Sequence, residues 1–104
     1  MDCRVRTTPK EREYILRGDF TAADEDDFFD VFVFVRAQTE KTVVFNLSKC
    51  SFIDSAAIGM LLVAFEEGAK RGLKFILRDV PEEIMPELML AGVDRYFRFQ
   101  KTEK

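Results

Sequence analysis

Ser55, at the start of a predicted helix, is the residue of this chain best placed for modification or binding by another protein. An apolar run from Thr42 to Leu47 predicts a strand, a short polar turn follows, and a helical pattern runs from Ser55 to Arg71. The first backbone N–H groups of a helix have no partner within the helix, so a hydroxyl at this position lies beside free donors. The Ser55 hydroxyl is therefore expected at the surface, where it could cap the helix or accept a phosphate from another enzyme.

The neighbours of Ser55 each have two interpretations. Asp54 could position Ser55 or bind a partner, but it could equally take the capping role itself. Ser51 lies in the predicted turn and could contact a partner, although serines in turns commonly only shape the chain. Ala56 and Met60 are expected on the side of the helix away from the core. They would form either a small apolar docking surface or ordinary exposed helix positions.

Composition predicts a soluble globular protein with one domain, covering residues 1–104. Hydrophobic residues make up 47% and charged residues 34% of the chain, and the net charge is −3. No cluster of Lys and Arg stands free of acids, which argues against nucleic acid as a partner. No apolar stretch approaches the ~20 residues that span a bilayer, so no membrane insertion is expected. The N-terminus lacks a signal-peptide pattern and there are two cysteines, which together favour a cytoplasmic protein with free thiols.

The absence of histidine excludes several kinds of catalytic site. Without it the chain contains no Ser-His-Asp or Cys-His arrangement and no His-containing metal site. The acidic run Asp24–Asp27 lacks the ligand spacing and the glycine of a calcium loop, and is typical of the first turn of a helix. The sequence therefore predicts a protein that is not an enzyme and that carries no metal or cofactor.

Alternating strand and helix patterns predict an α/β fold in the order β-β-α-β-α-β-α-β. Such an order implies a mixed sheet with helices packed on it. The predicted strands cover residues 4–7, 12–17, 42–47, 73–78 and 96–99, and the predicted helices cover 22–38, 55–71 and a segment from Pro86 to Gly92. The second helix should bury a stripe of Ile58, Leu61 or Leu62, Phe65 and Ala69.

The first predicted helix has an unusually apolar outer face. Its segment from Phe28 to Val35 is rich in residues that favour strands, but it is too long for one strand and has a helical stripe. A helix here leaves Phe29, Val33 or Phe34 on the outside. This face is either a surface for self-association or docking, or it is covered within the fold.

Two segments resemble the STAS domain family, the anti-sigma factor antagonists. The run from Asn46 to Leu62 is similar to the family signature, in which a strand ending in Asp or Asn leads into Asp-Ser and a small-residue helix start. The run from Glu87 to Phe97 resembles the pattern that closes the domain, and the resemblance covers residues 13–99, the expected core of the domain. The chain has Gly18-Asp19-Phe20-Thr21 where the family usually has Gly-Glu-Leu-Asp, and two alanines follow Ser55 where the family has Ser/Thr-Gly.

The resemblance implies a partner-switching regulator in signal transduction and transcription, with Ser55 as the phosphorylated residue. Its implied partners are a serine kinase of the histidine-kinase-like ATPase type, which can double as an anti-sigma factor, and a PP2C-type phosphatase; a homodimer is a further alternative. A subunit of a transporter assembly and a ligand-sensing module, both without phosphorylation, are the competing interpretations. The expected partner-binding residues are Asp19, Ser51, Asp54, Ser55, Ala56 and Met60.

Overall fold

A computed structural model describes residues 1–102 and contains five strands and three α-helices in the predicted order. Two short 3₁₀ turns, Ala22–Asp24 and Val93–Arg95, lie between these elements. The elements are β1 (Asp2–Thr7), β2 (Glu11–Phe20), α1 (Glu25–Ala37), β3 (Thr42–Ile53), α2 (Ser55–Ala69), β4 (Lys74–Arg78), α3 (Met85–Leu90) and β5 (Arg98–Gln100).

The five strands form one mixed sheet in the order β1-β2-β3-β4-β5. β1 runs antiparallel to β2, while β2, β3, β4 and β5 are parallel to one another. Each parallel connection contains a helix and moves one strand further in the same direction. Since such crossovers are right-handed, all three helices pack on one face of the sheet.

The hydrophobic core lies between that helix-covered face and the helices. Because side chains alternate along a strand, only every second strand residue belongs to it. The core includes Tyr14 and Leu16 of β2, Phe45 and Leu47 of β3, and Leu77 of β4. The other side, here called the open face, bears Glu13, Ile15, Val44, Asn46, Ile76 and Arg78, and no helix of residues 1–102 covers it.

β3 is longer than predicted. The polar segment from Ser48, expected to be a turn, continues the strand to Ile53. The reason is the length of β2, which runs on to Phe20 and pairs Gly18 with Cys50 and Asp19 with Phe52. Two irregularities in this pairing accommodate an extra β3 residue at each, so the strand stays paired although its sequence no longer alternates cleanly.

The expected exposure of Met60 is wrong, because its side chain is only 8% exposed and belongs to the core. α2 buries Ala57, Ile58, Met60, Leu61, Ala64 and Gly68, whereas Ala69 of the predicted stripe is exposed. α1 packs beside α2 and joins it through a 2.6 Å ion pair between Arg36 and Glu67. Glu67 and Met60 are seven residues apart and so share one side of α2. The neighbouring helix therefore covers the side that was predicted to face solvent.

The outer face of α1 is exposed. Thr21 caps the preceding 3₁₀ turn and forms a capping box with Asp24, which sets the direction in which the helix starts. Phe28, Val31 and Val35 point into the core. The opposite residues Phe29, Val33 and Phe34 are 56%, 43% and 43% exposed, so no part of residues 1–102 covers the predicted apolar face.

The open face of the sheet carries a charged cluster in place of a helix. Glu13 is 1% exposed and its carboxylate accepts hydrogen bonds from Arg6 at 2.7 Å, Asn46 at 2.9 Å and Arg78 at 3.1 Å. Burial alone would raise the pKa of Glu13, but these three donors outweigh it and lower the pKa below its ordinary value. Arg78 also pairs with Glu11 at 2.8 Å, which ties β4 to β2 across β3.

The second half of the fold follows the prediction with small shifts in its boundaries. α2 ends at Ala69, two residues before the expected end, and Gly72 adopts φ +74° in the turn that follows. Pro86 lies in the first turn of α3, and Gly92, also at φ +74°, follows that helix. Within residues 1–102, none of the helices is both long and apolar enough to span a bilayer.

Candidate phosphorylation and partner-binding site

The turn from β3 into α2 places Asp54 as the cap of the helix and Ser55 as its first residue. The Asp54 carboxylate accepts a hydrogen bond from the backbone N–H of Ala57 at 2.8 Å. Ser55 is exposed, and its hydroxyl makes no hydrogen bond within residues 1–102. The open question of which residue caps the helix is therefore resolved in favour of Asp54, and the Ser55 hydroxyl stays free for another molecule.

Asp54 also holds the Ser55 turn against the rest of the fold. Its second carboxylate oxygen accepts a hydrogen bond from the backbone N–H of Ala22 at 3.1 Å, and its own N–H donates to the Phe20 carbonyl at 3.3 Å. One side chain thus satisfies donors at the starts of two helical segments, which fixes the position of the serine that follows it.

Asp19 and Ser51 lie together at the carboxyl ends of β2 and β3. The Ser51 hydroxyl donates to the Asp19 carboxylate at 3.0 Å, and both side chains are exposed. The structure therefore brings five of the six expected partner-binding residues to one end of the sheet, with Ala56 exposed beside Ser55. Met60 is the exception, since it is buried in the core one turn further along α2.

Two hollows flank Ser55. One has a volume of about 470 Å³ and lies between the end of β3 and α3, with Phe52, Ser55, Glu83 and Glu87 among its lining residues. The other, of about 260 Å³, is lined by Ser55, Ile58, Glu87, Leu90 and Ala91. Ser55 and Glu87 belong to both hollows, so the serine projects from a ridge between two concave surfaces.

The surroundings of Ser55 are acidic and partly apolar. Glu83 and Glu87 line the hollows, and neither hollow has a Lys or Arg among its lining residues. Phe52 is 52% exposed and Leu90 is 87% exposed on either side of the serine. This surface fits a partner that presents cationic groups around an apolar contact, and a phosphate on Ser55 would add charge next to two carboxylates.

Sequence reasoning missed the four residues that complete this surface. Phe52 lies two residues before Asp54, but its segment was interpreted as a polar loop, so its exposure was not foreseen. Glu83 lies in the turn before α3, and Glu87 and Leu90 lie in α3, about thirty residues further along the chain. No local pattern signals that α3 packs beside the start of α2, because that proximity arises from the sheet order.

The two cysteines are unsuited to nucleophilic chemistry at neutral pH. Burial, with the nearby Asp2 carboxylate, raises the pKa of Cys3 to about 11. Burial also raises the pKa of Cys50, whose thiol donates to the Phe52 carbonyl at 3.4 Å. Both thiols are therefore protonated and weakly nucleophilic. Among residues 1–102, no group of three or more His, Cys, Asp and Glu side chains is arranged to hold a metal ion.

Solved structures with the same fold include regulators and a transporter protein. A putative anti-sigma factor antagonist from Thermotoga maritima matches with a TM-score of 0.86 at 17% identity, covering 96% of this chain and 86% of that one. The anti-sigma factor antagonist SpoIIAA in its unphosphorylated form gives 0.72 at 16%, with coverage of 99% and 90%. The Bacillus cell fate determinant SpoIIAA in its phosphorylated form matches with a TM-score of 0.72 at 17% identity, covering 94% of this chain and 90% of that one.

A sulfate transporter family protein from Wolinella succinogenes matches with a TM-score of 0.74 at 20% identity, covering 86% of this chain and 75% of that one. At these identities the likeness establishes the fold, and it does not choose between a regulator and a transporter module. The STAS domain family model matches residues 4–104, almost the whole chain. The chain therefore belongs to the STAS domain family.

Proposed function

We propose that this protein is a non-catalytic, cytoplasmic partner-switching regulator of the anti-sigma factor antagonist type. In its unphosphorylated form it binds a serine kinase of the histidine-kinase-like ATPase type, which also acts as an anti-sigma factor, and so releases whatever that kinase restrains. The kinase phosphorylates Ser55, the complex separates, and a PP2C-type phosphatase restores the first state. Nucleotide and metal belong to these partners.

The observation that carries this proposal is the free, exposed Ser55 hydroxyl beside a cap that does not depend on it. A kinase can modify Ser55 without breaking the hydrogen bonds that hold the turn, because Asp54 makes them. A phosphoserine brings about −1.5 to −2 charges. On the ridge beside Glu83 and Glu87 that charge would oppose the docking of any surface matched to the unmodified site.

The experiment is phosphorylation of the purified protein by candidate serine kinases with ATP, read by intact mass and by fragment masses. We expect a single phosphate located on Ser55. The matched control is Ser51→Ala, which removes a neighbouring exposed hydroxyl and should still take up one phosphate. Modification at Ser51, or uptake by Ser55→Ala, would assign the reaction to another residue.

A transporter-associated module is the second candidate, supported by the shared fold of the sulfate transporter family protein. That function requires no chemistry at Ser55. A protein that takes up no phosphate from any cognate kinase, yet binds a transporter ATPase equally well as wild type and as Ser55→Ala, would favour it.

A further inference from the structure

The open face of the sheet is positively charged although the chain as a whole is weakly acidic. The strand register places seven cations and four acids on the open face, whereas the net charge of the chain is −3. Those cations are Arg4, Arg6, Arg17, Lys49, Lys74, Arg78 and Arg98. The other residues of the chain therefore hold the excess of acids, and charge is unevenly distributed over the protein.

A basic hollow lies on the open face. It has a volume of about 240 Å³ and is lined by Arg4, Arg17, Lys49, Ile15 and Asp2. Arg17 and Lys49 are exposed and form no ion pair with any of residues 1–102, and Arg4 approaches only Asp2, at 3.9 Å. The half-buried Ile15 forms an apolar floor beneath unpaired cations. Such a surface accepts an apolar group that is accompanied by acids.

An acidic ridge lies on α1, on the opposite side of the molecule. Phe29 and Val33 are 56% and 43% exposed and are four residues apart, so they form one apolar strip along the helix. Asp26 and Asp30 are exposed, have the same spacing and run beside that strip. The ridge points away from the sheet, since Phe28, Val31 and Val35 occupy the side of α1 that faces the core.

We propose that the basic hollow of one molecule receives the acidic ridge of a second copy, which gives a head-to-tail stack. Phe29 of one copy packs on Ile15 of the next, and Asp26 and Asp30 neutralise Arg17 and its cationic neighbours. Pairing two ridges would bring acids against acids, and pairing two hollows would bring cations against cations. Only the unlike pairing satisfies both the charges and the apolar groups.

The geometry makes this contact heterologous. The hollow and the ridge lie on opposite sides of one sheet, so two molecules joined by one contact still expose a free hollow and a free ridge. Such a contact extends into a stack or closes into a ring, and it does not stop at a symmetric dimer. The contact uses none of the expected partner-binding residues, and the proposal does not rest on phosphorylation.

The test is sedimentation velocity on the full chain over a range of protein concentrations, at low and at high NaCl. In low salt the mean mass should rise with concentration above the 12.1 kDa monomer. Exposed ion pairs weaken when the screening length falls, from about 10 Å at 0.1 M to about 3 Å at 1 M salt. High salt should therefore return the protein to monomers.

Two charge reversals identify the surfaces. Arg17→Glu reverses a charge in the basic hollow, and Asp30→Lys reverses a charge on the acidic ridge. Each substitution alone should weaken association at least about tenfold. Arg95→Glu and Glu82→Lys make the same changes in charge at exposed positions outside both surfaces, and should associate like wild type. Melting curves on all four variants check that the fold is intact.

Mixing the two defective variants gives the decisive result. Arg17→Glu retains its ridge and Asp30→Lys retains its hollow, so the mixture should associate, whereas each variant alone associates weakly. A wild type that stays monomeric, association that strengthens with salt, or a mixture that remains monomeric would each overturn the proposal. Monomers that bind phosphatidylserine vesicles through Arg17 would overturn it too, and would assign the hollow to a lipid surface.

Discussion

Asp54 and Ser55 are adjacent in the chain, but only the Asp54 side chain is held by hydrogen bonds inside the fold. The carboxylate of Asp54 accepts from the N–H groups of Ala57 and Ala22, at 2.8 and 3.1 Å. The Ser55 hydroxyl makes no such bond within residues 1–102 and is exposed. One residue therefore holds the turn in place, while its neighbour presents a group that can be modified without loss of structure.

This difference predicts unequal effects of two alanine substitutions on stability. Asp54→Ala removes a helix cap and should lower the free energy of unfolding by about 1–2 kcal/mol. Ser55→Ala removes no hydrogen bond and should stay within about ±0.5 kcal/mol. Urea denaturation of both variants measures the difference. If Ser55→Ala were the more destabilising of the two, the assignment of the cap to Asp54 would be wrong.

Because Met60 is buried, its substitution should lower the free energy of unfolding, whereas the sequence had suggested a residue that binds a partner. Met60→Ala opens a cavity between α1 and α2 and should cost about 2–5 kcal/mol, while Met60→Leu nearly conserves volume and should cost less than about 1.5 kcal/mol. Val63, three residues along α2, is 42% exposed and provides the control. Val63→Ala should change the unfolding free energy by no more than about 0.5 kcal/mol.

Two glycines inside α2 make a matched pair. A Cβ on Gly68 would collide with the Phe75 ring and come within 3.2 Å of Val35, whereas a Cβ on Gly59 meets no atom within 4 Å. Alanine is the better helix former by about 1 kcal/mol. Gly59→Ala should therefore raise the melting temperature, and Gly68→Ala should lower it because the clash outweighs the gain. An increase for both variants would show that the Phe75 ring can move aside at little cost.

The order of elements could be predicted because it depends on local signals. Apolar runs marked the strands, and helical patterns marked the helices predicted at 22–38, at 55–71 and from Pro86 to Gly92, each near the position where the structure has it. The capped Ser55 turn was also recognisable, since a strand, an Asp-Ser pair and a helical pattern follow one another directly.

The rest depends on contacts between distant segments. Ser48 to Ile53 is a strand because β2 runs alongside it, and Met60 is buried because α1 lies against that side of α2. Glu83 and Glu87 join the site because the sheet order brings α3 next to the start of α2. The sequence of a segment does not specify which distant segment will pack against it. Hydrophobic periodicity alone therefore gave the wrong structure for residues 48–53 and the wrong exposure for Met60.

The buried Glu13 predicts a pH dependence of stability. Its pKa in the folded protein is lowered by Asn46, Arg6 and Arg78, against a value of about 4.3 for an unperturbed Glu. A carboxylate with a lowered pKa stabilises the fold fully above its unfolded pKa, and this contribution disappears as the pH falls through the folded pKa. Wild type should therefore lose stability below about pH 4.3.

Glu13→Gln isolates this effect because it keeps the shape of the side chain. The variant should be less stable than wild type at pH 7, and the gap should narrow steadily as the pH falls to about 3. Urea denaturation at several pH values measures the gap. Glu82→Gln, on an exposed turn before α3, is the control and should show no gap at any pH. A gap for Glu13→Gln that stays constant with pH would mean that the carboxylate charge is not what stabilises this cluster.

Negative charge at Ser55 should weaken partner binding without affecting folding. Ser55→Asp places an acid in the first turn of α2, where the helix dipole favours it, so the variant should fold as well as wild type. The same charge lies beside Glu83 and Glu87, so a partner matched to the unmodified surface should bind Ser55→Asp much more weakly. Phosphorylated protein should bind more weakly still, because Asp carries one charge and a phosphoserine carries about −1.5 to −2.

The measurement is affinity for the kinase with ADP present, across wild type, Ser55→Ala, Ser55→Asp and phosphorylated protein. Ser55→Ala should bind like wild type and resist release by ATP, since it has no hydroxyl to accept the phosphate. Glu87→Gln in the phosphorylated protein tests the physical cause, because it removes one of the two neighbouring carboxylates and should recover part of the lost affinity. If phosphorylated and unmodified proteins bind with equal affinity, charge at Ser55 does not control the complex, and the transporter-associated function becomes the better account of this domain.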